Sequence, residues 1–143
     1  METPKPQELQ SLDYRDYKHR VVVFGTRYYN NKVEFHKEMM ALMERLDGEP
    51  VIFFSGAAKS GADYLIIRWC RKFNFPCILF PADWDKNQKA AGFIRNTEMV
   101  KLATYGLGFW DHVSSGTKHM ISQLDYFQVS HKTIFVEIPD AVQ

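Results

Sequence analysis

The stretch Ser55-Gly56-Ala57-Ala58-Lys59-Ser60-Gly61-Ala62-Asp63 has the makeup of a loop that holds an anion. Its small residues, Gly56, Ala57 and Gly61, allow a sharp turn and a close approach of the backbone to a ligand. The helix that would begin at its end offers unpaired N–H groups and a positive dipole end, which suit phosphate. The rival reading is the ordinary need of any strand-to-helix turn for glycine and a cap. Other residues could complete the chemistry. Arg95 can grip a phosphate through two parallel hydrogen bonds, or pair structurally with Asp83 or Asp85. Its neighbour Asn96 can donate and accept. Arg27, in Gly25-Thr26-Arg27, could clamp a second phosphate or lie in solvent. Ser115-Gly116-Thr117 could present amides and hydroxyls to an oxyanion or form a plain N-cap. Asp63 could accept from ribose hydroxyls, although a carboxylate stabilised in its ionised form by a first helical turn is the expectation. Trp84, beside Asp83, could stack on a base or pack beneath its loop. Phe109 and Trp110 pose the same choice, and packing is expected for all three.

These residues need elements to hold them. Arg20–Phe24, Val51–Phe54, Cys77–Phe80, Tyr105–Trp110 and Thr133–Ile138 read as strands, the first two unbroken apolar runs of the kind covered on both faces. Gly106 and Gly108 share one face of the fourth strand, so a helix or a ligand must come close there. Between the strands lie helical patterns. Asn30-Asn31 caps the first, with Phe35, Met39, Leu42 and Leu46 inward, and Asp47-Gly48 ends it. The second buries Ala62, Leu65, Ile66, Trp69, Cys70 and Phe73 and stops at Asn74, before Pro76. A third helical region spans 88–103, interrupted by Gly92. A fourth carries Thr117, Met120, Ile121, Leu124, Phe127 and Gln128 on one side. Five such alternations specify an α/β, Rossmann-like three-layer sandwich whose five-stranded parallel sheet has order 3-2-1-4-5. Ligands of such sheets sit beyond the carboxyl ends of the strands, where the candidate loops converge.

The chain of 143 residues is long enough for one domain, read as 20–143 behind a polar tail, 1–19, with Tyr14 and Tyr17 able to pack back. A net charge of +1 gives no sign of a nucleic-acid surface, so no nucleic-acid partner is expected. No leader or spanning segment is read, which excludes a membrane partner and points to the cytoplasm. Cys70 and Cys77 read as free, buried thiols. His112 and His119 lack metal-ligand spacing, so neither metal nor cofactor is expected.

Gly25-Thr26-Arg27, Ser55–Asp63, Pro81-Ala82-Asp83-Trp84, the run Lys89–Val100 and Ser115-Gly116-Thr117, in this order, resemble the YspA, cpYpsA-related branch of the SLOG superfamily. The resemblance covers Arg20 to Ile138. It implies a Rossmann-like fold and a nucleotide-derived ligand, and the superfamily holds both binders and hydrolases. Hydrolase relatives, the cytokinin-activating phosphoribohydrolases, carry PGG-x-GT-x-x-E. Here Gly116-Thr117 keeps the Gly-Thr, but Met120 stands in place of the glutamate. The expected function is therefore binding of a nucleotide-derived signalling molecule, sensed or sequestered at the sheet edge. The alternative is a hydrolase cleaving an N-glycosidic or phosphate bond, with Asp63, Asp83 or Glu98 as acid–base. A homo-oligomer is also expected, with Tyr28, Tyr29 and Phe93 as interface candidates.

Overall fold

A computed structural model of the chain describes residues 13–138. Five strands, β1 (His19–Gly25), β2 (Val51–Ser55), β3 (Cys77–Leu79), β4 (Tyr105–Trp110) and β5 (Ser130–Phe135), form one sheet of order β3-β2-β1-β4-β5. Every adjacent pair is parallel, from Phe53 opposite Cys77 to Trp110 opposite Phe135. The α/β Rossmann-like architecture and its strand order are as expected.

Central strands are buried on both faces because their residues alternate between two cores. Val21, Val23, Phe53, Leu107 and Phe109 point to one face, under α1 (Lys32–Leu46) and α2 (Gly61–Phe73). Val22, Phe24, Ile52, Phe54 and Ile78 point to the other, under α4 (Ala91–Leu102) and α5 (Ser115–Tyr126). Tyr14 and Tyr17 pack against this second core. The helix signals act as read: the Asn31 side chain accepts from the Glu34 amide, and Asp47 and Asn74 take the left-handed conformation at the helix ends. Cys70 and Cys77 are free and buried.

Three details differ from expectation. The helical region at 88–103 breaks before α4, not at Gly92. Trp84–Asn87 is a separate short helix, α3, and a 3-10 turn at Gln88–Ala90, entered with φ of 52° at Gln88, joins it to α4. Gly92 lies in the first turn of α4, where its lack of a side chain costs little. The last strand starts at Ser130 rather than Thr133, because Ser130 pairs with Tyr105 and a sheet edge accepts polar side chains. Gly106 and Gly108 make room for side chains: a Cβ on Gly108 would enter the Phe24 ring, and one on Gly106 would meet Leu124 at 2.7 Å.

Candidate functional site

Four loops meet at the carboxyl edge, after β1, β2, β3 and β4. Fully extended strands deliver their last residues to one line, and the helices that follow start there. The loop after β1 is tied to its neighbours from within. Thr26 is buried; its N–H donates to the Phe109 carbonyl at 2.8 Å, and its hydroxyl accepts from the Asp111 amide at 3.0 Å. Arg27 is exposed, and its carbonyl accepts from the Ser60 hydroxyl at 2.6 Å. Gly61, at φ 74°, starts α2 so close to this loop that a Cβ would lie 2.8 Å from the Arg27 carbonyl oxygen. Gly25 and Gly61 therefore let the first two loops dock on their neighbours.

The loop after β2 folds around Asp63. The buried Ser55 hydroxyl donates to the Asp63 carbonyl at 2.8 Å and accepts from the Ala57 amide at 3.2 Å. Ala57 holds φ at 64°, an uncommon conformation for a residue with a Cβ. The Asp63 carboxylate accepts from the Ala58 amide at 3.3 Å. Burial raises its pKa to about 6, against the lowering effects of the Arg95 charge and the Ala58 amide. This corrects the expectation of a helix-stabilised, readily ionised carboxylate: desolvation outweighs the dipole because the side chain faces inward.

Arg95 reaches this loop from α4. Its Nη1 donates to the Gly56 carbonyl, and to that of Phe80 at 3.4 Å; its Nε donates to Asn96 Oδ1 at 3.1 Å. Burial lowers the guanidinium's pKa, and Asp63 opposes that shift. A Cβ on Gly56 would stand 2.7 Å from the Asp63 carboxylate and 2.9 Å from Arg95 Nη1, so this glycine fits between the two. The ion pairing considered for Arg95 with Asp83 or Asp85 is absent among the described residues. Its hydrogen-bond partners are two backbone carbonyls and the Asn96 side chain. Asn96, also buried, carries the network on: its amide donates to the Gly116 carbonyl at 3.3 Å and lies 3.2 Å from His119 Nδ1.

At the start of α5, Ser115 and Gly116 are exposed and Thr117 is buried, its hydroxyl 3.1 Å from that of Ser114. Asp111 accepts from the Val113 and Ser114 amides at 2.9 and 2.8 Å, shaping the loop before it. Neither Ser60 nor Ser114, the residues preceding α2 and α5, caps its helix with a side-chain hydrogen bond. Asp83, Lys86 and Glu98 line a cavity of about 220 Å³ together with Arg95. There Asp83 caps α3 by accepting from the Lys86 amide at 3.0 Å.

The aromatic residues divide. Phe109 is fully buried and Tyr29 nearly so, their rings stacked at 4.9 Å, and the Tyr29 hydroxyl donates to Glu34 at 2.7 Å. Tyr29 is thus no interface residue. Trp110 is half-buried and donates to the Ser114 carbonyl. Trp84, expected to pack beneath its loop, opens the short helix α3 and is 60% exposed. Tyr28 and Phe93 are also exposed, and one face of Phe93 stacks on His119 at 4.1 Å. The reading of the residues one by one missed the Phe93–His119 stack and the Asn96–His119 contact; His119 lies 23 residues beyond Asn96 in the chain, so neither contact gave a signal before α4 and α5 were paired.

This arrangement of a parallel sheet of order 3-2-1-4-5 with glycine-rich edge loops is an α/β Rossmann-like fold. Among solved structures the chain is similar to DNA processing protein A from Helicobacter pylori, described by its single-stranded DNA binding mode, with a TM-score of 0.61 and 16% identity over 86% of this chain and 68% of that one. The chain belongs to the family of the gene 61 protein of Mycobacterium phage D29, to which it is 31% identical over 110 residues, 73% of this chain and 86% of that protein. Searched against the sequence profiles of known families, the chain matches none.

The single-stranded DNA binding of the Helicobacter protein corrects two expectations: a function in sensing or sequestering a free nucleotide, with hydrolysis of one as the alternative, and the exclusion of nucleic acid as a partner. The physical weakness lay in arguing from net charge. A sum of +1 averages over the whole surface, whereas a strand of nucleic acid meets only a local cluster of cations and rings. Among the described residues, no helix is long and apolar enough to cross a membrane.

Proposed function

We propose that the chain binds single-stranded nucleic acid along the carboxyl edge of its sheet. One observation carries this reading: the exposed rings of Tyr28, Trp84 and Phe93 stand among the exposed cations Arg27, Lys59, Lys86 and Lys89 on the loops and first helical turns of that edge. Bases stack on exposed rings for roughly 1–3 kcal/mol each, and cations track the phosphates between them. The starts of α2 and α5, without side-chain caps, add backbone N–H donors suited to phosphate oxygens. In this reading Gly25, Thr26, Ser55, Gly56, Gly61, Asp63, Arg95 and Asn96 hold the loops, while Arg27, Ala57, Trp84, Ser115 and Gly116 meet the strand. The single-stranded DNA binding named for the Helicobacter protein of the same fold supports it.

The same proposal includes placement in the YspA, cpYpsA-related branch, a single functional domain at 20–143, a cytoplasmic setting and a homo-oligomer. Fluorescence anisotropy with labelled oligothymidylate, a duplex of equal length and unlabelled mononucleotide as competitor tests the function. The single strand should bind more tightly than the duplex, weaken linearly with log salt, and resist displacement by the mononucleotide. Absence of binding, or displacement by equimolar mononucleotide, overturns the proposal.

A further inference from the structure

On the α1–α2 face lies a second feature that the edge does not use. A groove of about 360 Å³ between these helices is lined by Lys32, His36, Arg68, Trp69, Lys72 and Phe73 among others, and no carboxylate lines it. Its chemistry follows from the spacing of α2. Leu65, Ile66, Trp69 and Cys70 face the core, which places Arg68, Arg71 and Lys72 outward on one exposed stripe. α1 contributes Lys32 and His36 from its first two turns.

None of Lys32, Arg68 and Lys72 makes an ion pair among the described residues. Their field is felt at Tyr64, one turn before Arg68. The Arg68 guanidinium donates to the Tyr64 hydroxyl at 3.1 Å and lowers that phenol's pKa, and the charges of Arg71 and Lys32 lower it further. Beside the cations stands a block of rings. Trp69 Nε1 donates to His36 Nδ1 at 3.2 Å, bridging the two helices, and His36 stacks on Phe73 at 5.4 Å between centroids. Trp69 is nearly buried and lies 4.8 Å from Phe73, so it backs the block, while Phe73 is 38% exposed and presents ring surface outward.

We infer that this groove is a second contact site for single-stranded nucleic acid, in which a base stacks against Phe73 and His36 and the flanking phosphates meet Lys32, Arg68 and Lys72. The inference rests on the nucleic-acid reading of the edge and extends it. Lys32 is the first residue of α1, and α1 begins at the carboxyl edge, so a strand leaving the edge reaches the groove at that residue. Unpaired cations with no acid among them select a polyanion, and a ring block among them selects one that carries bases. An acidic protein segment would satisfy the charges but leave the rings without a partner of their kind.

Two lengths of labelled oligothymidylate separate the groove from the edge, one of about 8 nucleotides and one of about 30, since single-strand sites commonly span about 4–16 nucleotides. Arg68→Ala/Lys72→Ala should weaken the long probe about tenfold and flatten its log–log salt slope by about 1.4, two phosphate contacts at about 0.7 each. The short probe should bind within twofold of wild type. Phe73→Ala should weaken the long probe severalfold with an unchanged salt slope, and Phe73→Tyr, which keeps the ring, should restore it. Ultraviolet crosslinking of the long probe should place adducts on the peptide carrying Phe73. Wild-type binding of both lengths by all these variants overturns the groove while leaving the edge reading intact. Failure of wild-type protein to bind either probe overturns both. If polyglutamate competes as well as the long probe and Phe73→Ala is neutral, the groove serves an acidic protein instead.

Discussion

Gly56 and Lys59 stand three residues apart on one loop, yet Gly56 is buried between Asp63 and Arg95 while Lys59 is exposed to solvent. The same division runs through the whole carboxyl edge. Its inner wall, from Thr26 through Ser55 and Asp63 to Arg95 and Asn96, spends its polar groups on backbone amides and carbonyls of neighbouring loops. Its outer rim, with Arg27, Lys59, Tyr28 and Trp84, leaves charges and rings uncovered. A residue type suited to ligand chemistry is therefore not evidence of ligand contact. A guanidinium that finds carbonyls inside the fold becomes a brace between loops, and the contact surface is left to residues the fold does not need.

Substitutions sort the two zones by what they damage, and the largest effect belongs to the wall. Arg95→Ala removes donors to Gly56, Phe80 and Asn96 and strips Asp63 of its nearby positive charge. It should cost on the order of 3 kcal/mol, read by urea unfolding at pH 7. A loss below about 1 kcal/mol would move Arg95 from the wall to the rim.

Asp63→Asn should act with the opposite sign. The carboxyl's pKa rises from 3.8 to about 6 on folding, so the unfolded chain ionises first as pH increases. Below pH 4 both states are protonated and nothing is lost; between about 4 and 6 the folded state loses stability, and above that the penalty is complete. The amide removes it. Asp63→Asn should be more stable than wild type by roughly 1–3 kcal/mol at pH 8 and equal to it at pH 4. A variant less stable at pH 8 would show that the ionised carboxylate serves the loop.

Trp84→Ala belongs to the rim. At 60% exposure it should change stability by less than about 0.5 kcal/mol while weakening oligothymidylate about tenfold. Loss of stability with unchanged binding would return Trp84 to a packing role.

The sheet was legible in the sequence because Val21–Phe24 and Val51–Phe54 are unbroken apolar runs, which only a strand covered on both faces explains. The order of strands followed from right-handed crossovers. β5 was placed three residues late, since an edge strand has one neighbour and tolerates Ser130, His131 and Lys132, so its apolar run does not mark its start. Of the edge, the residues were legible but their directions were not. Arg95 and Gly56 lie 39 residues apart in the chain, and nothing local says that the guanidinium meets that carbonyl rather than a phosphate. The exposure of Trp84 was not legible either, because a tryptophan just after a strand reads equally as a packing ring or an exposed one, and the short helix α3 that it opens had no periodic pattern to mark it. The groove left no local signal at all, because Arg68 and Lys72 come from α2 while Lys32 and His36 come from α1.

The central claim is that the rim holds a nucleic-acid strand while the wall holds the fold. Titrating labelled oligothymidylate into wild type and into Arg27→Ala/Lys59→Ala/Trp84→Ala, with thermal unfolding of both in parallel, tests it most directly. The account predicts a loss in affinity of about a hundredfold or more and a Tm within about 2 °C of wild type. Equal affinity in the two proteins, or a loss of binding that comes only with a collapse in Tm, would contradict it.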